Sequence, residues 1–122
     1  MGCGILPGLI GLVELMTNRD KYAEKSLIVK GIPISSHCVG YGDSGNSVIS
    51  IVLRDNEGNA VLCYNRSGNI SGHVQAKTLI DAEINDKDEE QITLRGKFSE
   101  SGIFNADSVR VLKYDINLNT GL

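Results

Sequence analysis

The sequence predicts a small, mainly β fold: a barrel of five strands, with a short helix ahead of the first and a helix or insert between the third and fourth. Three observations carry this. Five stretches alternate apolar and polar residues and are rich in β-branched side chains, the period-2 pattern of a half-buried strand. Clusters of Gly, Asn, Asp and Ser separate them, which is turn chemistry. The chain of 122 residues, 41% apolar and 22% charged, fits one domain able to bury its own core.

Residues 1–11 read as an apolar arm, 12–115 as the barrel domain and 116–122 as a loose tail. The apolar run from Ile5 to Val13 is about half of the ~20 residues that span a bilayer, and it lacks the basic start of a signal peptide. It is expected to be a buried arm. Met1-Gly2-Cys3 has the look of an acylation site, yet Leu6 stands where that motif needs Ser or Thr. The alternative is a trimmed precursor with a lipid anchor at Cys3.

Gly11 to Asn18 reads as a short helix, because Leu12, Leu15 and Met16 recur at 3/4 spacing. From Ser26 the period changes to two: Leu27, Val29 and Gly31 alternate with Ile28, Lys30 and Ile32 in a first strand. Gly31 inside it signals a bulge or a tight barrel bend. His37 to Ser47 is dense in turn formers and reads as a loop. Val48 to Arg54 and Ala60 to Tyr64 are strands two and three, joined as a hairpin through Asp55-Asn56-Glu57-Gly58-Asn59, with Gly58 free to take positive φ. Asn65 to Gly72 is a polar loop. His73 to Glu90 is ambiguous and reads best as a helix followed by an acidic loop. Asp81, Glu83, Asp86, Asp88, Glu89 and Glu90 form the acidic run there, the pattern of a solvated face. Ile92, Leu94 and Phe98 mark strand four, a turn closes at Gly102, and Ile103 to Lys113 is strand five.

Charge and cysteine content limit the function classes. Twelve basic against 15 acidic residues give a net charge of -3, so no global attraction draws the chain to nucleic acid or an anionic membrane. Cys3, Cys38 and Cys63 include no C-x-x-C pair, which opposes a disulfide scaffold and a zinc ribbon. A Cys38–Cys63 bridge stays open only if their strands are neighbours.

Leu15-Met16-Thr17-Asn18-Arg19-Asp20-Lys21-Tyr22 followed by Lys25-Ser26-Leu27-Ile28-Val29-Lys30-Gly31 resembles the entry of OB-fold proteins of the tRNA-anticodon-binding-like type. Arg95-Gly96-Lys97-Phe98 with Gly102-Ile103-Phe104-Asn105-Ala106-Asp107-Ser108-Val109 resembles their last hairpin. The element order agrees: helix, three strands, an insert, two strands. The resemblance spans about residues 12 to 115 and implies a five-stranded Greek-key barrel. The same ending is similar to the periplasmic haem chaperone of cytochrome c maturation. That family attaches haem through a histidine in a Lys-His-Asp stretch. Here Lys113-Tyr114-Asp115 stands, with Tyr114 in the histidine's place. Tyrosine can ligate haem iron, so these three residues mark an alternative haem region. The missing histidine argues against covalent haem capture, and no cofactor is expected.

An OB-fold implies a binding face on its first three strands. With Ile49, Ile51, Leu53, Ala60, Leu62 and Tyr64 assigned inward, Val48, Ser50, Val52, Arg54, Val61 and Cys63 would point outward, with Ile28, Lys30 and Ile32 on the first strand. Single-strand binders need aromatic platforms and cations on this face. Lys30, Arg54 and Arg66 supply cations, and Tyr41 at the loop rim is the expected stacker. The apolar set Ile28, Ile32, Val52, Val61 and Cys63 suggests instead a patch for another protein.

No catalytic constellation is legible. His37 and His73 read as loop histidines, Ser44 and Ser47 lack a nucleophile elbow, and Gly40-Tyr41-Gly42-Asp43-Ser44-Gly45 lacks the Lys-Ser/Thr of a phosphate loop. The acids at 81–90 lack calcium-loop spacing, so no metal is expected. The reading is a non-catalytic binding module. Weak single-stranded nucleic-acid binding comes first; a protein-interaction module, tethered to the cell envelope in one version, is the alternative. A cytoplasmic location is favoured over the envelope.

Overall fold

A computed structural model describes residues 8–41, 45–86 and 90–120. Cys3 and its anchor reading, the start of the apolar arm, and Asp88 and Glu89 of the acidic run lie outside the described residues. The elements in chain order are β1 (Gly8–Ile10), α1 (Leu12–Thr17), α2 (Arg19–Tyr22), β2 (Ser26–Tyr41), β3 (Asn46–Arg54), β4 (Ala60–Ser67), α3 (Ile70–Asn85), β5 (Ile92–Phe98), β6 (Ile103–Val111) and β7 (Tyr114–Asn117).

β2 is the strand that closes the barrel. Its first half pairs antiparallel with β5, from Ser26 opposite Lys97 to Gly31 opposite Ile92. Its second half pairs with β3, from Ile32 opposite Arg54 to Tyr41 opposite Asn46, with a register shift between Pro33 and Ser35. The bend between the halves sits at Gly31. A Cβ there would lie 3.0 Å from the Arg54 carbonyl oxygen and 3.1 Å from Leu53 Cβ, so the strand crosses its neighbour where only glycine fits easily. β3 pairs β4, β4 runs parallel to β6, and β6 pairs β5, which completes the ring β2-β3-β4-β6-β5. With α3 between β4 and β5, this is the OB-fold order expected from the sequence.

The core is apolar and closed. Leu27, Val29, Ile49, Ile51, Leu53, Ile92, Leu94, Phe98, Phe104 and Val109 line it, with Leu12 and Leu15 of α1 packed against the barrel. α3 plugs one end through Ala76 and Ile80. It is also pinned laterally: the Ser36 hydroxyl donates to Asp81 Oδ1 at 2.6 Å, and Lys77 Nζ meets Asp81 Oδ2 at 2.6 Å. Burial alone would raise the Asp81 carboxyl, but its bonds from Lys77 and Ser36 outweigh that and hold it below the usual range.

Three expectations change, and one question left open by the sequence is answered. β2 runs through His37–Tyr41, where a loop was expected, because Ser36 and Cys38 alternate with outward residues along β3. α3 begins at Ile70, before His73, because Asn69 caps it by accepting the Gly72 N–H. The tail is not loose as far as Thr120. Tyr114–Asn117 pairs with β6, and Ile116 and Leu118 are buried. The Asn69 side chain donates to the carbonyls of Asn117 and Thr120. Finally, Cys38 and Cys63 are both free thiols, since β3 lies between their strands. Among the described residues no helix is long and apolar enough to cross a membrane.

Candidate functional site

The outer face of β2, β3, β4 and β6 can be laid out from the register, since directly paired residues project to the same side of a sheet. One row is Val39, Val48 and Arg66. The next is His37, Ser50, Tyr64 and Asn105, continued on β5 by Lys97. The third is Ser35, Val52, Leu62 and Ile103. Arg54 and Ala60 end the face.

This layout reverses the expected facing of β4. Val61 and Cys63, assigned to the apolar outer patch, are 2% and 0% exposed and sit in the core opposite Leu53 and Ile51. Burial accordingly pushes the Cys63 thiol far above its ordinary range. Leu62 and Tyr64, assigned inward, point out. The cause is the hairpin: Arg54 pairs directly with Ala60, so odd-numbered residues of one strand meet odd-numbered residues of the other. Ile32 is also buried, while Ile28 and Val52 are half-buried. The surviving apolar surface is therefore Val39 and Leu62, 52% and 41% exposed, with Val48, Val52 and Ile103 half-buried beside them.

The expected cations do not converge. Arg66 and the backbone position of Tyr41 lie at one end of the face, each beside the first residues of β3. Arg54 lies at the other end, six residues along β3 and roughly 20 Å away by strand rise. There it donates to the Asp55 carbonyl and lines a groove with the acidic residues Glu83 and Asp86. Lys30 is exposed beyond the bend of β2, opposite Thr93 of β5, away from the central rows.

The structure instead offers a groove that the sequence reading missed. Ser50, Leu62, Tyr64, Ile103 and Asn105 form its floor, and Ser99 and Ser101 of the β5–β6 turn form its rim, around a volume of about 400 Å³. Arg19 braces that turn by donating to the Glu100 carbonyl at 3.3 Å. The Tyr64 ring is half-buried in this groove, at the centre of the outer face. An aromatic in the middle of a strand flanked by Leu62 and Arg66 was visible in the sequence. Only its direction was misread.

His73 is buried rather than a loop residue, and it joins a line that superficially looks catalytic. The Ser47 hydroxyl bonds its Nδ1, and Nε2 donates to Asn65 Oδ1 at 2.7 Å and to the Leu118 carbonyl at 3.1 Å. Ser47 and His73 are both 0% exposed, so no substrate reaches the hydroxyl. The line is a structural network tying α3 to β3, β4 and the C-terminal segment. Burial pulls the His73 pKa below its ordinary value, although the bond to Leu118 acts the other way. Among the described residues no group of three or more His, Cys, Asp or Glu is placed to hold a metal ion.

Lys113 lies in the exposed turn between β6 and β7, and Tyr114 and Asp115 are the exposed first residues of β7. Asp115 pairs with Arg110 at 3.2 Å, and Lys113 Nζ lies 5.5 Å from the Tyr114 ring centroid. The ring is 44% exposed, standing in solvent rather than between apolar walls.

No protein-family profile matches the sequence, and no curated protein matches it. Solved structures do. A chain of the crystal structure of yeast Stn1 and Ten1 aligns with a TM-score of 0.57 at 12% identity, covering 90% of this chain. This chain spans 65% of the length of that one. The telomere capping protein Ten1 from Saccharomyces pombe aligns at 0.48 and 15% identity, over 87% of this chain and 81% of that one. A chain described as an aspartyl-tRNA synthetase from Leishmania major Friedlin aligns at 0.49 and 15% identity, over 93% of this chain and 21% of that one. At this identity the yeast likeness establishes the fold. It agrees with the OB-fold part of the resemblance and not with its haem-chaperone part.

Proposed function

We propose that this chain is a non-catalytic OB-fold module that binds single-stranded nucleic acid across the outer face of β3, β4 and β6. The observation that carries this reading is Tyr64, an outward aromatic at the centre of that face and in its groove. Base–aromatic stacking contributes about 1–3 kcal/mol per base and tolerates any sequence. Arg66 and Lys97 flank Tyr64, along its strand and along its row, and would meet phosphates. With two such contacts, log K should fall against log salt with a slope of about -1.4, shallow for a nucleic-acid binder. The net charge of -3 fits weak, locally driven binding.

The test is fluorescence anisotropy with labelled single strands of about 15 nucleotides, DNA and RNA, at low and physiological salt. Binding tighter than about 10 μM at low salt, weakened roughly tenfold by Tyr64→Ala, is the expected result. Flat titrations for both nucleic acids at low salt would refute the reading.

A second reading has its own observation. Val39, Leu62 and Ile103 give the face an apolar third row and edge that a protein partner could cover. Leu62→Asp separates the two. It should abolish a salt-tolerant protein contact, including any self-association seen by sedimentation. Oligonucleotide binding through Tyr64 should fall by only a few-fold.

A further inference from the structure

The groove around Tyr64 differs from a phosphate track in its chemistry. Its polar lining is uncharged: Ser50, Ser99, Ser101 and Asn105. The Ser99 hydroxyl donates to the Ile103 carbonyl and bonds the Ser101 hydroxyl, which uses both up within the turn. Asn105 is different. It is exposed, and its carboxamide makes no hydrogen bond with any other described residue; the same holds for the Ser50 and Tyr64 hydroxyls. Asn105 stands directly beside Tyr64 across the parallel β4–β6 pairing, and Ser50 stands directly beside Tyr64 on the other side. Three uncommitted hydrogen-bonding groups thus share one short row, with a ring at its centre.

We infer that this row is a pocket for a single unpaired base, stacked on Tyr64 and selected by the carboxamide of Asn105, with adenine the preferred base. The inference rests on the nucleic-acid reading above. A carboxamide places a donor and an acceptor side by side, which matches N7 and N6 of adenine in a bidentate pair. Unpaired bases present that edge once they leave the stack. The backbone of β6 sets the amide's position, since Asn105 is paired on both sides, with Tyr64 and with Lys97. The amide is therefore held by rigid strands rather than by a loop.

Anisotropy with labelled oligo-dA, oligo-dC and oligo-dT of about 10 nucleotides tests it, on the wild type, Asn105→Ala, Tyr64→Ala and Tyr64→Phe. Circular dichroism checks that each variant is folded. The expected result is at least about fivefold tighter binding of oligo-dA, lost in Asn105→Ala while binding of the other two is kept. Tyr64→Ala should weaken all three, and Tyr64→Phe should retain most of the binding, since the ring remains. Equal binding of the three oligomers, or a dA preference that survives Asn105→Ala, would overturn the inference and leave the nucleic-acid reading standing. Absence of binding to every oligomer at low salt would overturn both.

Discussion

Replacing Gly96 with alanine is expected to destabilise the fold by about 3 kcal/mol or more, the upper end for overpacking a well-packed site. A Cβ at Gly96 would sit 2.0 Å from the Asn105 carbonyl oxygen and 2.8 Å from Ala106 Cα. Both are backbone atoms of β6, so no side chain can swing aside. The close approach occurs where the β5–β6 register shifts between Arg95 and Gly96. There the bulge brings the two strands together, and the relief must come from moving one of them. Urea unfolding measures the loss. Gly40→Ala is the control, because nothing lies within 4 Å of its Cβ position. That change should leave stability within about 1 kcal/mol or raise it slightly, by restricting the unfolded chain. Equal midpoints for the two variants would show that β6 yields freely at this point.

His73→Leu is expected to cost a similar amount for a different reason. It would strip the partner from Ser47, Asn65 and the Leu118 carbonyl at once, all of them in or beside the core. Each buried polar group left unsatisfied costs about 1–3 kcal/mol. The native ring is neutral. Nε2 carries the proton, because its partners are acceptors, and Nδ1 accepts from Ser47. Its folded pKa lies below the ordinary value of 6.5, so the unfolded chain takes up a proton at a pH where the native protein does not. The stabilisation is therefore complete above about pH 6.5 and is lost as pH falls from there towards the folded value. Urea midpoints measured between pH 7.5 and about 5 should fall in the wild type. They should stay nearly level over the same range in His73→Leu. A wild-type midpoint independent of pH in this window would sink the argument.

Much of the barrel was legible because its strands repeat one simple alternation. Ile49, Ile51 and Leu53 against Val48, Ser50 and Val52 mark an inner and an outer face without help from the rest of the chain. β4 is the instructive failure. Val61 and Cys63 are as apolar as Leu62 and Tyr64, so alternation there has no sign. Only the pairing of Arg54 with Ala60 chooses the face, and a five-residue turn hides that pairing from a reading of composition. The proposed binding face inherited the error, since Tyr64 is its central residue. The C-terminal strand was missed differently. Ile116 and Leu118 carry the alternation, but Asn and Asp around them read as solvent-seeking. In the fold the Asn117 side chain instead accepts the Asn119 and Thr120 N–H groups, and the Asn119 side chain accepts from Asn65 and donates to Asp107. His73 was misplaced because a lone polar residue carries no periodic signal. Its burial depends on partners 26, 8 and 45 positions away.

The double pairing of β2 also sets an order of assembly. Its second half meets β3 across a short turn, and β3 meets β4 across another, so this meander closes only small loops of chain. Its first half has no β5 partner until residues 92–97 are in place, and β4 has no β6 partner until 103–105 are. A nascent chain emerging from the ribosome can therefore present a three-stranded sheet while the cylinder is still open. Until β5 arrives, the apolar side chains of Leu27 and Val29 lack their neighbours Gly96 and Leu94. Contacts of such long sequence separation put folding in the millisecond-to-second range typical of barrels. The strand that gives the mature protein its seal is thus also the one that delays it.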